Sequence, residues 1–291
     1  MAAEDRQSLK IISEESSPFV PKVHSSNRAF DSEISKYPAN TQLLALALKH
    51  SQLSEAMTIS ASVPQALVAE ASQSFQRHND NEFDFKLCGK TLRINKKTFC
   101  DWLKIPIHAE YEPLYHKHMF DCVNQMGHEP PIHATASILA SHIPEEWMLL
   151  YHVACNLCGK CSGSGKINLP QLTVLYALYS DTKTDVGSAI FEQFLYVNGR
   201  RLPQIFFHRF WSVIVAESLK RFKDYTQAPD AQIMPILVMS LPGVKKATIK
   251  FPHVGQIPFS MLANIPHAND LTGGPPTSVS SGSVPDLHPH A

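Results

Sequence analysis

The chain has 291 residues with 26 Lys plus Arg, 26 Asp plus Glu and 15 His, so its formal net charge is zero with the histidines neutral. That balance excludes a chain that is basic throughout, as a wholly electrostatic nucleic-acid binder would be, and also excludes an acidic solvating protein. A hydrophobic share of 44% and a charged share of 18% belong to a globular chain, long enough to bury a core without disulfide or metal staples.

No apolar run approaches the roughly 18 residues of a membrane helix. No apolar stretch follows Glu4, Asp5 and Arg6 as a secretory signal requires. The six Cys show no disulfide framework. These features predict a soluble intracellular protein of the cytoplasm or nucleus, with no membrane partner.

Residues 1–38 are polar and rich in Ser and Glu, with Pro18, Pro21 and Pro38. They read as an extended or disordered leader, ordered at most where Phe19, Val20 and Phe30 find apolar partners. Asn40 to His50 fits a short buried helix with Asn40 or Thr41 as N-cap. Pro64 opens a second helix, carrying Ala66, Leu67, Ala69, Ala71 and Phe75 to about Arg77. Phe83, Phe85 and Leu87 alternate with polar residues, Cys88-Gly89-Lys90 turns, and Leu92 and Ile94 alternate again, which predicts a small β-hairpin. Asn95 then caps a helix with Phe99, Trp102 and Leu103 that stops before Pro106.

From Leu114 onward the spacing predicts helices over 114–127, 133–142, 144–157, 169–181, 184–197 and 203–223. Pro144 and Pro203 suit first turns, Gly127 and Gly199 suit stops, and Glu145 and Glu146 complement a helix dipole. In the last helix Leu202, Phe206, Phe210, Ile214 and Leu219 lie near one face, and Phe207, Trp211 and Val215 widen it into a stripe that belongs in a core. Residues 226–265 are punctuated by proline, with a short helix expected over 231–240 and a strand over 248–251. Residues 266–291 are too polar and too rich in Gly and Pro to fold, and read as a disordered tail. The fold class is therefore mainly α: a helical domain with one small β-hairpin, in which 39–112 and 113–225 belong together.

Three constellations bear on chemistry. His152, Cys155, Cys158 and Cys161 offer the sulfur and imidazole ligands that zinc takes. All four fall within ten residues and no distant pair closes the set, so thiols at a helix end are the expectation and a zinc-stabilised domain the alternative. Ser162 to Lys166 resembles a phosphate loop only at Gly165-Lys166, because Lys160 stands where the first glycine belongs and Ile167 where the metal-binding hydroxyl belongs. His116 and His118, with His108 and Cys122 near, could bind a transition metal opportunistically, but a solvated helix face is the expectation. No catalytic residue emerges, and no cofactor is called for beyond the zinc alternative.

Charge is informative once divided. Residues 199–250 carry nine Lys or Arg against three Asp or Glu. Arg200, Arg201, Arg209, Lys220, Arg221, Lys223, Lys245 and Lys246 flank the aromatic helix, where they suit contacts to RNA or DNA phosphates.

The order of elements from Phe19 to about Phe222 also carries a resemblance. Ser51 to Ser60 and the Val63-Pro64 helix lead into the hairpin with Gly89-Lys90. Asn95-Lys-Lys-Thr-Phe-Cys-Asp-Trp-Leu and Ile105-Pro106 follow, then Met119-Phe120, Met126-Gly127, Trp147 to His152 and Ile190-Phe191. This resembles the gag-like N-terminal region of plant retrotransposon-derived proteins, and the hairpin and its helix are similar to plant mobile-domain proteins. The resemblance implies a helical, non-enzymatic interaction module that self-associates and contacts RNA. No zinc-knuckle spacing, protease triplet or polymerase motif accompanies it, so those activities do not transfer.

Overall fold

The computed structural model describes residues 22–37, 42–133, 137–144, 147–159, 165–180, 182–200, 202–223, 225–239 and 265. The expected caps Asn40 and Thr41, the pair Glu145 and Glu146, the strand over 248–251 and the tail over 266–291 lie outside these residues.

The architecture is mainly α. Helices α1 (Gln42–Lys49), α2 (Ser54–Thr58) and α3 (Gln65–Gln73) precede a three-stranded antiparallel sheet. That sheet has the order β2 (Gln76–Arg77), β3 (Glu82–Leu87) and β4 (Lys90–Asn95). Phe83 pairs with Ile94 and Phe85 with Leu92, so the alternation read from sequence puts one set of side chains inward. The turn has positive φ at both Cys88 (51°) and Gly89 (73°), as a tight two-residue hairpin requires. Glu70 on α3 fixes that turn, its carboxylate accepting the Cys88 and Gly89 amides at 3.0 and 3.1 Å.

Asn95 ends β4 and caps α4 (Lys96–Leu103), its side chain accepting the Thr98 amide at 2.8 Å. Then come α5 (His116–Gln125), α6 (Met148–Leu157), α7 (Leu169–Ser180), α8 (Val186–Gly199) and α9 (His208–Leu219). Helix α7 packs between α6 and α8, while α9 packs on α3 and α4. Every α9 residue from His208 to Val215 is buried, which makes it the central helix and not an amphipathic cover. Around it Phe75, Phe83, Phe99, Phe194 and Trp211 interlock, with centroids 4.9 Å apart for Phe99 and Phe194 and 5.1 Å for Phe194 and Trp211. The planes of these rings are tilted to one another or edge-on, never face to face, which suits aromatic quadrupoles. One continuous set of buried side chains joins residues from 39–112 with residues from 113–225.

Several expectations are corrected. The leader is not simply extended: Ser26, Asn27, Ala29, Phe30 and Tyr37 are buried. Its strand β1 (Lys22–Val23) pairs in parallel with β5 (Gln204–Ile205). That pairing takes the start of the expected 203–223 helix, so α9 begins at His208 after Phe207, which sits in the left-handed region at φ 53°. The helix opened by Pro64 stops at Gln73, because Gln76 and Arg77 add the third strand to the sheet. The 133–142 helix reduces to a 3-10 turn at Ala140–His142, flanked by a bridge between Leu139 and Lys166. Gly199 is the last residue of α8 and is followed by a right-handed Arg200, so it is no left-handed stop.

The expected 231–240 helix is an extended strap. Met239 donates its amide to the Ala29 carbonyl at 2.7 Å, and Met234 donates to the Val63 carbonyl at 2.9 Å. These bonds tie the strap to the leader at Ala29 and to the connection before α3 at Val63.

Candidate functional site

Cys155 and Cys158 are buried near the end of α6, His152 is half-buried, and Cys161 lies outside the described residues. Among the described residues no three His, Cys, Asp or Glu side chains gather closely enough to hold a metal. The glycine that follows has a steric role. Gly159 has φ of 62°, and a Cβ there would lie 2.5 Å from the Phe207 ring. The run thus closes a helix end against the aromatic core. His108, His118 and Cys122 are also dispersed: His108 bonds Gln52 at 3.0 Å, His118 stacks on Tyr176, and Cys122 is buried.

The basic segment separates into unlike parts. Arg201, Lys245 and Lys246 lie outside the described residues. Arg200 sits 5.7 Å from the exposed Tyr196 ring at the end of α8. Neighbouring Asn198 accepts from the Trp211 indole at 2.9 Å, early in α9. Lys220 follows Trp211 by nine residues, about 14 Å along the helix axis. Arg200 and Lys220 therefore do not share a patch.

The far end of α9 gathers its own group. The Arg221 guanidinium lies 5.0 Å from the Trp102 ring centroid, and Lys90 Nζ lies 5.3 Å from the Phe222 centroid. Lys223 is exposed beside them, and Lys220 is held by Glu217 at 2.6 Å. The contribution of Lys90 was invisible in sequence, because only the hairpin fold brings residue 90 to residue 222.

Arg209 is the clearest correction. It is 2% exposed, so it cannot meet a phosphate on the surface. Its Nε donates to the Asn27 carbonyl at 3.2 Å, and its Nη1 donates to the Ala56 and Ile59 carbonyls at 2.9 and 2.6 Å. The Ala56 and Ile59 oxygens belong to the carboxyl end of α2, where a cation complements the dipole. Burial alone pulls its guanidinium down to about 9, still protonated at neutral pH.

Two of the concavities among the described residues bear on function. One, of about 350 Å³, is lined by Ser72, Phe75, Asn198, Leu202, Gln204 and Phe206 among others. The other, of about 180 Å³, lies where the connection before α5 crosses the starts of α7 and α8. Tyr111, Leu114, Leu169, Pro170 and Ala189 give this second groove apolar walls, and Glu112, Asp185 and Glu192 give it carboxylates. Asp185 also caps α8 by accepting the Ser188 amide at 3.0 Å. Lys96 reaches the rim, its Nζ donating to Ser188 Oγ at 3.0 Å.

Among the described residues no helix is long and apolar enough to cross a membrane. Comparison with protein families, curated proteins and solved structures finds no match to this chain.

Proposed function

We propose that the chain is a non-enzymatic helical interaction module that associates with further copies of itself, in keeping with the gag-like region that its order of elements resembles. The observation carrying this reading is the groove at α7 and α8. Tyr111 is 54% exposed and Leu169 52%, with Ile107 and Tyr115 exposed on the same connection. Large apolar side chains grouped around a concavity mark a contact surface, where scattered ones do not. The same chain carries a basic, aromatic end on α9 to set against the groove's three carboxylates. A groove that takes a different patch of the next copy is a heterologous contact, which closes as a ring or continues as a filament.

Light scattering over a range of concentrations tests this. The mass of the wild type rises with concentration and falls back in high salt. Tyr111→Asp with Leu169→Asp stays monomeric with an unchanged circular dichroism spectrum. A wild type that stays monomeric at the highest concentration rejects the reading.

A second reading, RNA or DNA binding, is favoured by the cation–ring pairs at the end of α9. Single strands stack bases on aromatic faces while Lys and Arg hold the phosphates. Fluorescence anisotropy with a single-stranded oligonucleotide should give an affinity that falls steeply with salt. It should weaken when Lys90, Arg221 and Lys223 are all changed to Ala. Equal binding by that variant rejects this surface.

A further inference from the structure

β4 is the last strand of its sheet, so its outer edge has no neighbouring strand. Its pairing with β3 decides which backbone groups that edge presents. Across the two-residue turn at Cys88 and Gly89, Leu87 and Lys90 exchange hydrogen bonds, and so do the alternate pairs Phe85 with Leu92 and Phe83 with Ile94. Two further bonds agree with this alternation. The Lys86 amide, turned away from β4, donates to Ser74 Oγ at 2.8 Å, and the Lys96 amide donates back to the Asn81 carbonyl at 2.8 Å. Thr91 and Arg93 therefore point their amides and carbonyls outward, and both residues are exposed. No described residue meets those groups.

The surface along this edge carries one sign. Lys86, Lys90, Arg93, Lys96 and Lys97 fall within twelve residues that hold no Asp or Glu. Arg93 is met by Asp84 at 2.7 and 3.0 Å, and Lys97 by Asp101 at 2.8 Å. Lys90 lies instead 5.3 Å from the Phe222 ring centroid, and Lys86 is exposed with no ion pair among the described residues. These two lysines stand on opposite faces of the hairpin, because Lys86 pairs with Thr91 and Lys90 precedes it. Leu92, half-buried on the Lys90 face, adds apolar surface. Charges on an edge strand ordinarily guard it against a second copy of itself. β4 meeting β4 would set Lys90 and Arg93 beside the same residues of the other chain, so a second copy is repelled and a strand of opposite sign is not.

We propose that the open edge of β4 docks an acidic, extended peptide of a partner protein, which adds to the sheet as a fourth strand. Its backbone forms the ladder with Thr91 and Arg93, its apolar side chains lie beside Leu92, and its carboxylates answer Lys86 and Lys90. Phosphates accept hydrogen bonds but cannot donate them, so a nucleic-acid strand held by its phosphates would leave the two outward carbonyls unmet. The site is independent of the groove at α7 and α8.

The probe is a fluorescein-labelled hexapeptide of alternating Glu and Val, matched to the six residues of β4. Fluorescence anisotropy with the whole chain should show saturable binding that weakens as salt rises, and a peptide of alternating Lys and Val should not bind. Thr91→Pro removes an outward amide and leaves every bond to β3, so it should weaken binding about tenfold or more with an unchanged circular dichroism spectrum. Lys86→Glu with Lys90→Glu should reverse the preference between the two peptides. Where Thr91→Pro does not fold, the wild type decides with two N-methylated forms of the acidic peptide. Methylating one alternate set of peptide amides should abolish binding, and methylating the other set should not. Equal binding of those two forms, equal binding by a folded Thr91→Pro, equal binding of the acidic and basic peptides, or no saturable binding of the acidic peptide overturns the site. A single-stranded oligonucleotide that displaces the labelled peptide at a lower concentration than unlabelled peptide does would mark nucleic acid as the occupant and overturns it too.

Discussion

Asn27 caps α9 from 183 residues earlier in the chain, its Oδ1 accepting the Phe210 amide at 3.1 Å. The same side chain donates to the Asn156 carbonyl at 3.2 Å, and the Asn27 carbonyl accepts from Arg209 Nε. Asn is suited to this place because its φ is 60°, a left-handed conformation that Asn tolerates better than most residues. The cap explains how Asn27, in a polar leader, comes to be buried: it satisfies a helix end that lies in the core.

Asn27→Gly isolates the cap, because Gly keeps the backbone conformation and the carbonyl. The loss of two side-chain bonds should cost about 1–3 kcal/mol. Asn27→Ala should cost about 1 kcal/mol more, from the left-handed backbone. Urea unfolding of both variants checks this, and an unchanged midpoint for Asn27→Gly removes the cap from the account.

His208 predicts how stability responds to acid. Burial, then Arg209, Arg28 and His24, pull the folded imidazole down to about 4, while an unfolded His takes a proton near its ordinary 6.5. Between those values the unfolded chain binds more protons, so stability falls as pH falls. The contribution is complete above about 6.5 and lost on descent to about 4, with an upper size of about 3 kcal/mol. His208→Phe should flatten the dependence across that window, below which Asp84 and other carboxylates take over. Parallel curves for the two proteins in urea at several pH values would contradict this.

The parts of the fold that were legible in sequence depend on neighbours close in the chain. The alternation through Phe83, Phe85 and Leu87, the Asn95 cap and the wide apolar stripe of α9 are of this kind. What could not be read depends on distant partners. Leu202 to Phe206 has apolar spacing that suits a helix, yet Gln204 and Ile205 form a strand because Lys22 and Val23 arrive beside them. Arg209 carries the same charge as Lys220, and only the carbonyls of Asn27, Ala56 and Ile59 mark it as interior. Of the proposed contact surfaces, the end of α9 was visible in part, through Arg221 and Lys223, while Lys90 was not. The groove was not visible at all, since Tyr111 and Leu169 meet only through the packing of α7 and α8.

Gly159 should tolerate no side chain. Its φ of 62° already disfavours Ala, and the added Cβ would meet the Phe207 ring at 2.5 Å. Phe207 is fully buried and itself left-handed, so it has little freedom to withdraw. Gly159→Ala should cost about 2–4 kcal/mol, from backbone strain and overpacking together. Thermal unfolding measures it. Phe207→Leu combined with Gly159→Ala should recover part of the loss, and a double variant that is no better than additive would place the strain elsewhere.

The cysteines yield the last test, because packing and metal binding make opposite demands on them. A zinc ligand must be a thiolate, a charged form that burial disfavours, whereas Cys158 is fully buried at the end of α6 as part of the hydrophobic core. Protein purified without chelator should therefore contain less than about half an equivalent of zinc by elemental analysis. Cys158→Ala should then be the mild change, leaving only a small cavity, while Cys158→Ser should cost about 1–3 kcal/mol by taking a more strongly hydrated hydroxyl out of water. If zinc were the organising element, both substitutions would remove a ligand and unfold the end of α6 alike, and chelator would do the same to the wild type. A ranking with Ala above Ser, together with a wild type indifferent to chelator, assigns Cys158 to packing.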